Sequence, residues 1–176
     1  LGSGVTRVDG RLGKALSLDG TANGKVVFAT DSWDMGNRRT ISLWAKQTSG
    51  GGRLLSSGAG GFELFTGTDT RLHWRGSGSQ ERNATVTSSW AAGNWHHLVV
   101  RRTGSNCQIF LDTVLLAEGA QGSIGSTEGP LIVGQRNQQD GRGFALNGMI
   151  DEIAIWNREL TDDDIVALWN DGFGTG

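Results

Sequence analysis

At 176 residues the chain is long enough for one domain with a true core, able to withdraw about two-thirds of its unfolded surface from water. Its 29 glycines follow no G-X-Y period, which excludes collagen, and their spread between short apolar runs marks turns joining many strands. A formal net charge of -2 leaves no global basic field and argues against nucleic acid as a partner. No apolar run approaches the roughly 18 residues of a membrane span, and no basic-plus-apolar signal segment opens the chain, so membrane insertion is not expected. Cys107 is alone and forms no intrachain disulfide; in C-Q-I-F-L it reads as a buried strand residue rather than a nucleophile.

In chain order, short strands are expected at residues 15–18 (A-L-S-L), 25–28 (K-V-V-F), 40–46 (T-I-S-L-W-A-K), 53–56 (R-L-L-S), 61–65 (G-F-E-L-F) and 71–75 (R-L-H-W-R). Further strands are expected at 84–87, 95–101, 107–111, 114–116, 130–133 and 149–156. Nothing between them has the period of a crossover helix, so an antiparallel sandwich or barrel is favoured over a parallel α/β fold. The single helix begins after Leu160. Thr161 is a good N-cap, Asp164 completes a capping box, and Ile165, Leu168 and Trp169 recur on one face that seals an edge of the sheets. The triplet Asp162 to Asp164 suits the positive end of that helix better than a calcium loop, whose ligands are spaced rather than consecutive.

Five segments carry a family resemblance: G-K-A-L-S-L-D-G (13–20), T-I-S-L-W-A-K (40–46), N-W-H-H-L-V-V (94–100), I-F-L-D (109–112) and I-D-E-I-A-I-W-N-R-E-L (150–160). In that order they resemble the LamG-like jelly-roll domains of the concanavalin A-like lectin/glucanase superfamily. The resemblance implies a single all-β domain over residues 1–176, a two-sheet antiparallel jelly-roll sandwich with a short C-terminal helix. Such domains are often accessory modules of secreted proteins, so a secreted or extracellular module of a larger protein is expected. Two departures stand out. The usual D-G turn after I-F-L is Asp112-Thr113 here, which points to another hairpin geometry or a longer loop. Tyrosine is absent, leaving Trp, Phe and His for sugar stacking.

The resemblance places calcium-binding aspartates at Asp19 and Asp151. Gly20 permits a sharp turn after Asp19, and Asp151 shares the strand phase of Ile153 and Ile155, where a carboxylate needs hydrogen bonds or an opposite charge. Calcium takes six to eight oxygens, so two carboxylates with carbonyls and water make a sensible site. The competing reading is that Asp151 pairs with arginine or backbone amides and Asp19 closes a turn. His73, His96 and His97 lack the second cluster of a zinc site.

For a ligand face, a glycan needs aromatic platforms and polar groups for its hydroxyls. Trp44 shares a row with Ser42 and Lys46, opposite Ile41, Leu43 and Ala45, and either lines a concave sheet or fills space beneath a loop. Arg71, His73 and Arg75 share one face of their strand, with Leu72 and Trp74 on the other; this is either a solvated sheet face over a core Trp74 or a surface for sugars, acidic ones included. Trp33 and Trp90 are loop candidates for further stacking, whereas Trp95, Trp156 and Trp169 are read as structural. His96 and His97 point to opposite faces, a poor geometry for joint proton transfer, and are read as structural hydrogen bonders. Asp151 and Glu152 likewise point apart, unlike the paired carboxyls of a glycosidase, and no G-x-S-x-G elbow or GxxxxGK loop is present. The expected function is therefore a noncatalytic carbohydrate-binding module, calcium-supported, with polysaccharide or glycan as partner. An extracellular protein-binding or adhesion module is the alternative, and a glycoside hydrolase the less favoured one.

Overall fold

A computed structural model of the chain describes residues 1–28, 38–57, 63–67, 93–120, 130–136 and 145–170, and the backbone of 71–75 and 81–85. Within it, two antiparallel sheets form a sandwich. The larger runs in the order β1 (Val5–Asp9), β2 (Lys14–Asp19), β13 (Asn147–Trp156), β4 (Arg38–Ser49), β9 (His96–Thr103), β10 (Asn106–Leu111) and β11 (Val114–Ala120). The smaller runs β3 (Val26–Phe28), β12 (Leu131–Val133), β5 (Gly52–Ser57), β6 (Glu63–Thr66), β7 (Arg71–Arg75) and β8 (Glu81–Thr85). The all-β sandwich with a short C-terminal helix is the architecture the sequence implies. The last strand lies between β2 and β4, which ties the two ends of the chain into one sheet.

Strand alternation builds the core. Ile41, Leu43 and Ala45 of β4 face inward with Leu98 and Val100 of β9, Ile109 of β10 and Ile150 of β13, against Leu54, Leu55, Leu64 and Val133 of the smaller sheet. Each buried Val, Leu or Ile among them contributes about 1.5–3 kcal/mol by leaving water. Cys107 belongs to this cluster and is fully buried.

The opposite face of the larger sheet is also used. Val99 and Phe110 on it receive Leu160 and Ile165, so helix α1 (Asp162–Trp169) packs on this outer face rather than sealing an edge. Its start is built as its residues require. Thr161 Oγ1 accepts from Asp164 N at 3.1 Å, and Asp164 Oδ2 accepts from Thr161 N at 2.9 Å. Arg101 donates to Leu160 O (2.8 Å) and Asp162 Oδ1 (2.7 Å), holding the helix entry to β9.

Two local features depart from the sequence reading. The Asp112-Thr113 turn is tight: Leu111 pairs with Val114, and both turn residues have positive φ, 49° and 73°, as a two-residue type I′ hairpin demands. In β13 the register slips between Asp151 and Ala154, with Glu152 at φ 48°. The bulge breaks the alternation expected there. Asp151 pairs with Trp44 and Ala154 with Ser42 on the outer row, while Ile155 pairs with Ile41 on the inner one.

Candidate functional site

Trp44 and Lys46 emerge from β4 on the outer face, where they line a cleft of about 380 Å³ with Arg11, Asn94, Trp95, Asp112 and Trp169. The volume falls in the range of small-molecule sites, roughly 300–1,000 Å³. Trp44 forms the buried floor, only 3% exposed. The Arg11 guanidinium lies 5.0 Å from its ring centroid, and the His97 ring packs against it at 5.2 Å. Trp44 thus fills space beneath the β1–β2 loop, one of its two expected roles, and has little ring left for a sugar. The half-buried Trp95 and Trp169, expected to be structural, are the rings on the cleft wall.

Polar groups around the floor are held in place. His97 is almost fully buried, with Nε2 2.7 Å from Ser42 Oγ. Burial lowers its pKa to about 4, against a smaller opposing pull from Asp112, so the ring is neutral at pH 7. His96 Nδ1 lies 2.7 Å from Asp112 Oδ2, and Asp112 Oδ1 accepts from the His97 amide at 2.8 Å. The two histidines act through separate hydrogen bonds, as their opposite phases predict.

Arg11 owes its position to Asp151. The β1–β2 turn closes through Gly10 N to Gly13 O at 3.1 Å. Asp151 Oδ2 accepts from Leu12 N at 3.0 Å, and its Oδ1 accepts from Glu152 N at 3.0 Å. A side chain on Gly10 would collide with Asp151 Oδ2, so glycine is what allows the turn to lie this close to the carboxylate. Asp151 therefore works as a clasp between the closing strand and the first hairpin.

Asp19 lies elsewhere. It pairs with Asn147, four positions from Asp151 along β13, a span of ~13 Å at ~3.3 Å per residue. Its Oδ1 accepts from Thr21 N (2.9 Å) and Thr21 Oγ1 (2.8 Å). The Thr21 amide, then the Thr21 hydroxyl, hold its carboxyl below the usual carboxylate range. The residues present do not fit one calcium shared by Asp19 and Asp151: the first closes a turn and the second accepts backbone amides. Among the described residues no three His, Cys, Asp or Glu side chains gather as a metal-binding group.

The remaining ligand candidates are not brought to this cleft. Arg71, His73, Trp74 and Arg75 lie in β7 of the other sheet, where register sets His73 opposite Phe65, Arg75 opposite Glu63 and Trp74 opposite the core residue Leu64. Glu63 there is bracketed by Arg53 at 3.2 Å and Arg136 at 2.6 Å. Trp33 and Trp90 lie outside the described residues. Sequence reading missed Arg11, Asn94 and Asp112 as site residues. The compact turn chemistry of D-G-R-L-G was the available signal for Arg11, while Asp112 was noticed only as a turn.

The Laminin_G_3 family, described as Concanavalin A-like lectin/glucanases superfamily, matches residues 19–166. Botulinum neurotoxin type X of Clostridium botulinum is 25% identical over 97% of this chain, which spans 14% of that toxin. The binding domain of Paraclostridial Mosquitocidal Protein 1 superposes with a TM-score of 0.79 at 16% identity, covering 98% of this chain and 47% of that one. Domain 4 of AbnA, an extracellular arabinanase from Geobacillus stearothermophilus, solved with arabinotriose, gives 0.71 at 17% identity, covering 99% of this chain and 82% of that one.

Proposed function

The chain belongs to the concanavalin A-like lectin/glucanases superfamily, and on that premise we propose that it is a noncatalytic carbohydrate-binding module whose ligand seats in the outer-face cleft. One observation carries the reading: Trp95 and Trp169 share a single concave site with Lys46 and Asn94. Sugars present apolar C–H faces and a rim of hydroxyls, and this pairing of aromatic wall and polar donors matches both. The arabinotriose in the similarly folded arabinanase domain supports the substrate class. The small share of the neurotoxin spanned by this chain, and the extracellular arabinanase, support a secreted module of a larger protein.

Titration calorimetry against arabino-, gluco-, galacto- and urono-oligosaccharides tests the proposal. Trp95→Ala and Trp169→Ala are each expected to weaken binding about tenfold, ~1.4 kcal/mol, with the fold checked by circular dichroism. No binding across the panel, or binding indifferent to both variants, overturns it. A protein ligand is the second reading. It is favoured by the exposed Val27 and Phe28 on β3, the terminal strand of the smaller sheet, and by the binding-domain relatives. Binding that responds to Phe28→Asp and ignores the tryptophans would establish it.

A further inference from the structure

We propose that a second pocket, between β13 and helix α1, is a sugar site for one neutral residue. The Trp156 ring takes its apolar face and the Arg158–Asp164 pair takes two vicinal hydroxyls; the proposal rests on the carbohydrate reading above. Trp156, Arg158, Leu160, Asp164, Ala167 and Leu168 line a cavity of about 210 Å³. That is below the roughly 300–1,000 Å³ of drug-sized sites and suits a single sugar ring. Trp156 stands on the outer row of β13, opposite Thr40 of β4. Trp44 is four positions further along β4, ~13 Å at ~3.3 Å per residue, so one sugar ring does not reach both the pocket and the cleft.

An aromatic platform and polar groups meet on this wall. Trp156 is half-buried and packs on the cluster of Leu160 and Ile165, which holds its ring in place. Arg158 Nη1 donates to Asp164 Oδ2 at 3.1 Å. The same Oδ2 accepts from Thr161 N, which fixes the carboxylate in the capping box. Asp164 Oδ1 accepts no hydrogen bond among the described residues, and neither Nε nor Nη2 of Arg158 donates one. The pocket thus keeps open donors beside an open acceptor, the complement of adjacent hydroxyls that each donate and accept. The Thr161 amide, then Arg158, hold the Asp164 carboxyl below the usual carboxylate range, so the acceptor stays ionised at neutral pH. Thr40 Oγ1 positions the segment before a ligand arrives, donating to Arg158 O at 3.1 Å and accepting from Leu160 N at 3.0 Å. The opposite charges of Arg158 and Asp164 cancel, which favours a neutral sugar over an acidic one.

NMR titration of the full chain at pH 7 tests this, following the tryptophan indole N–H signals assigned through Trp→Phe variants. The probes are arabinotriose, maltotriose, galactobiose, trigalacturonate and per-O-methylated maltotriose. The Trp156 signal is expected to shift with at least one neutral sugar, on a saturation curve separate from those of Trp95 and Trp169. Arg158→Gln alters an exposed side chain and is expected to weaken the Trp156 curve about tenfold while leaving the cleft curves in place. Trp95→Ala is expected to do the reverse. No Trp156 shift while Trp95 or Trp169 responds overturns the inference and leaves the cleft reading standing. Trp156 shifting alone keeps the inference and overturns the cleft as the ligand seat. A Trp156 response that vanishes in Trp95→Ala, or keeps its affinity in Arg158→Gln, also overturns the inference. So does tighter binding of the per-O-methylated or acidic probe at this pocket. Silence of every indole removes the carbohydrate reading and the inference with it.

Discussion

Acidification probes the floor of the cleft through His97. This ring is 1% exposed, packs on Trp44 and meets Ser42 Oγ at 2.7 Å. Its burial lowers the pKa from 6.5 to about 4. In the unfolded chain the ring takes a proton near pH 6.5, whereas the folded protein refuses it until about pH 4. The unfolded state therefore binds more protons throughout that window, and stability falls as pH falls through it. The contribution is fully present above pH 6.5. At ~1.4 kcal/mol per pH unit, roughly 2 kcal/mol is lost by pH 5, and a ceiling of ~3.4 kcal/mol by pH 4. Urea unfolding of wild type and His97→Gln at pH 7, 6, 5 and 4 measures this, because the variant keeps a polar partner for Ser42 but has no proton to gain. The wild type is expected to lose about 2 kcal/mol more than the variant between pH 7 and pH 5. Parallel pH profiles, or an NMR titration placing the His97 ring near 6.5, would refute the reasoning.

Two other perturbations address the hairpins. Thr113 is β-branched and held at φ 73°, so Thr113→Gly is expected to raise stability by about 1 kcal/mol, or ~2–4 °C in Tm, after the entropy glycine adds to the unfolded chain; a lower Tm argues that the hydroxyl matters more than the strain. Asp151→Ala removes the acceptor for Leu12 N and Glu152 N, with an expected loss of about 2–3 kcal/mol and faster amide exchange across 10–13. The same clasp reading expects wild type to melt at one temperature in chelator and in excess calcium. A calcium-dependent rise that disappears in Asp151→Ala would make Asp151 a metal ligand instead.

Much of the sandwich was legible because its determinants are local. Ile41, Leu43 and Ala45, or Leu98 and Val100, announce an inward row by alternation alone, and Thr161 with Asp164 announces the helix start. The short β1 was not expected: V-T-R-V-D buries only Val5 and lies at the sheet edge, where one neighbour suffices to define it. The bulge in β13 was hidden for a different reason. A continuous period from Met149 to Ile155 reads as one face, and the slip at Asp151 exists only relative to β4. Glu152 at φ 48° gives no warning, since a residue that favours positive φ, such as glycine, is what sequence reading looks for. The cleft was less legible still, because it assembles a hairpin tip, one strand, the segment leading into β9, a turn and the far end of the helix.

That bulge is also what connects the fold to the site. Without the extra residue, the alternation running inward from Ile155 would set Asp151 among core side chains, where a carboxylate without an opposite charge is costly. With it, Asp151 stands on the outer row opposite Trp44 and reaches the Leu12 amide, so the turn carrying Arg11 comes down over the Trp44 ring. His97 supports that ring from the neighbouring strand as a neutral group, adding no competing positive charge beneath the guanidinium at pH 7. Protonating His97 would place a second cation against the same aromatic surface. The acid sensitivity of the fold and the shape of the cleft floor are therefore two consequences of one packed arrangement, and variants of His97 and Asp151 should move ligand affinity in step with stability.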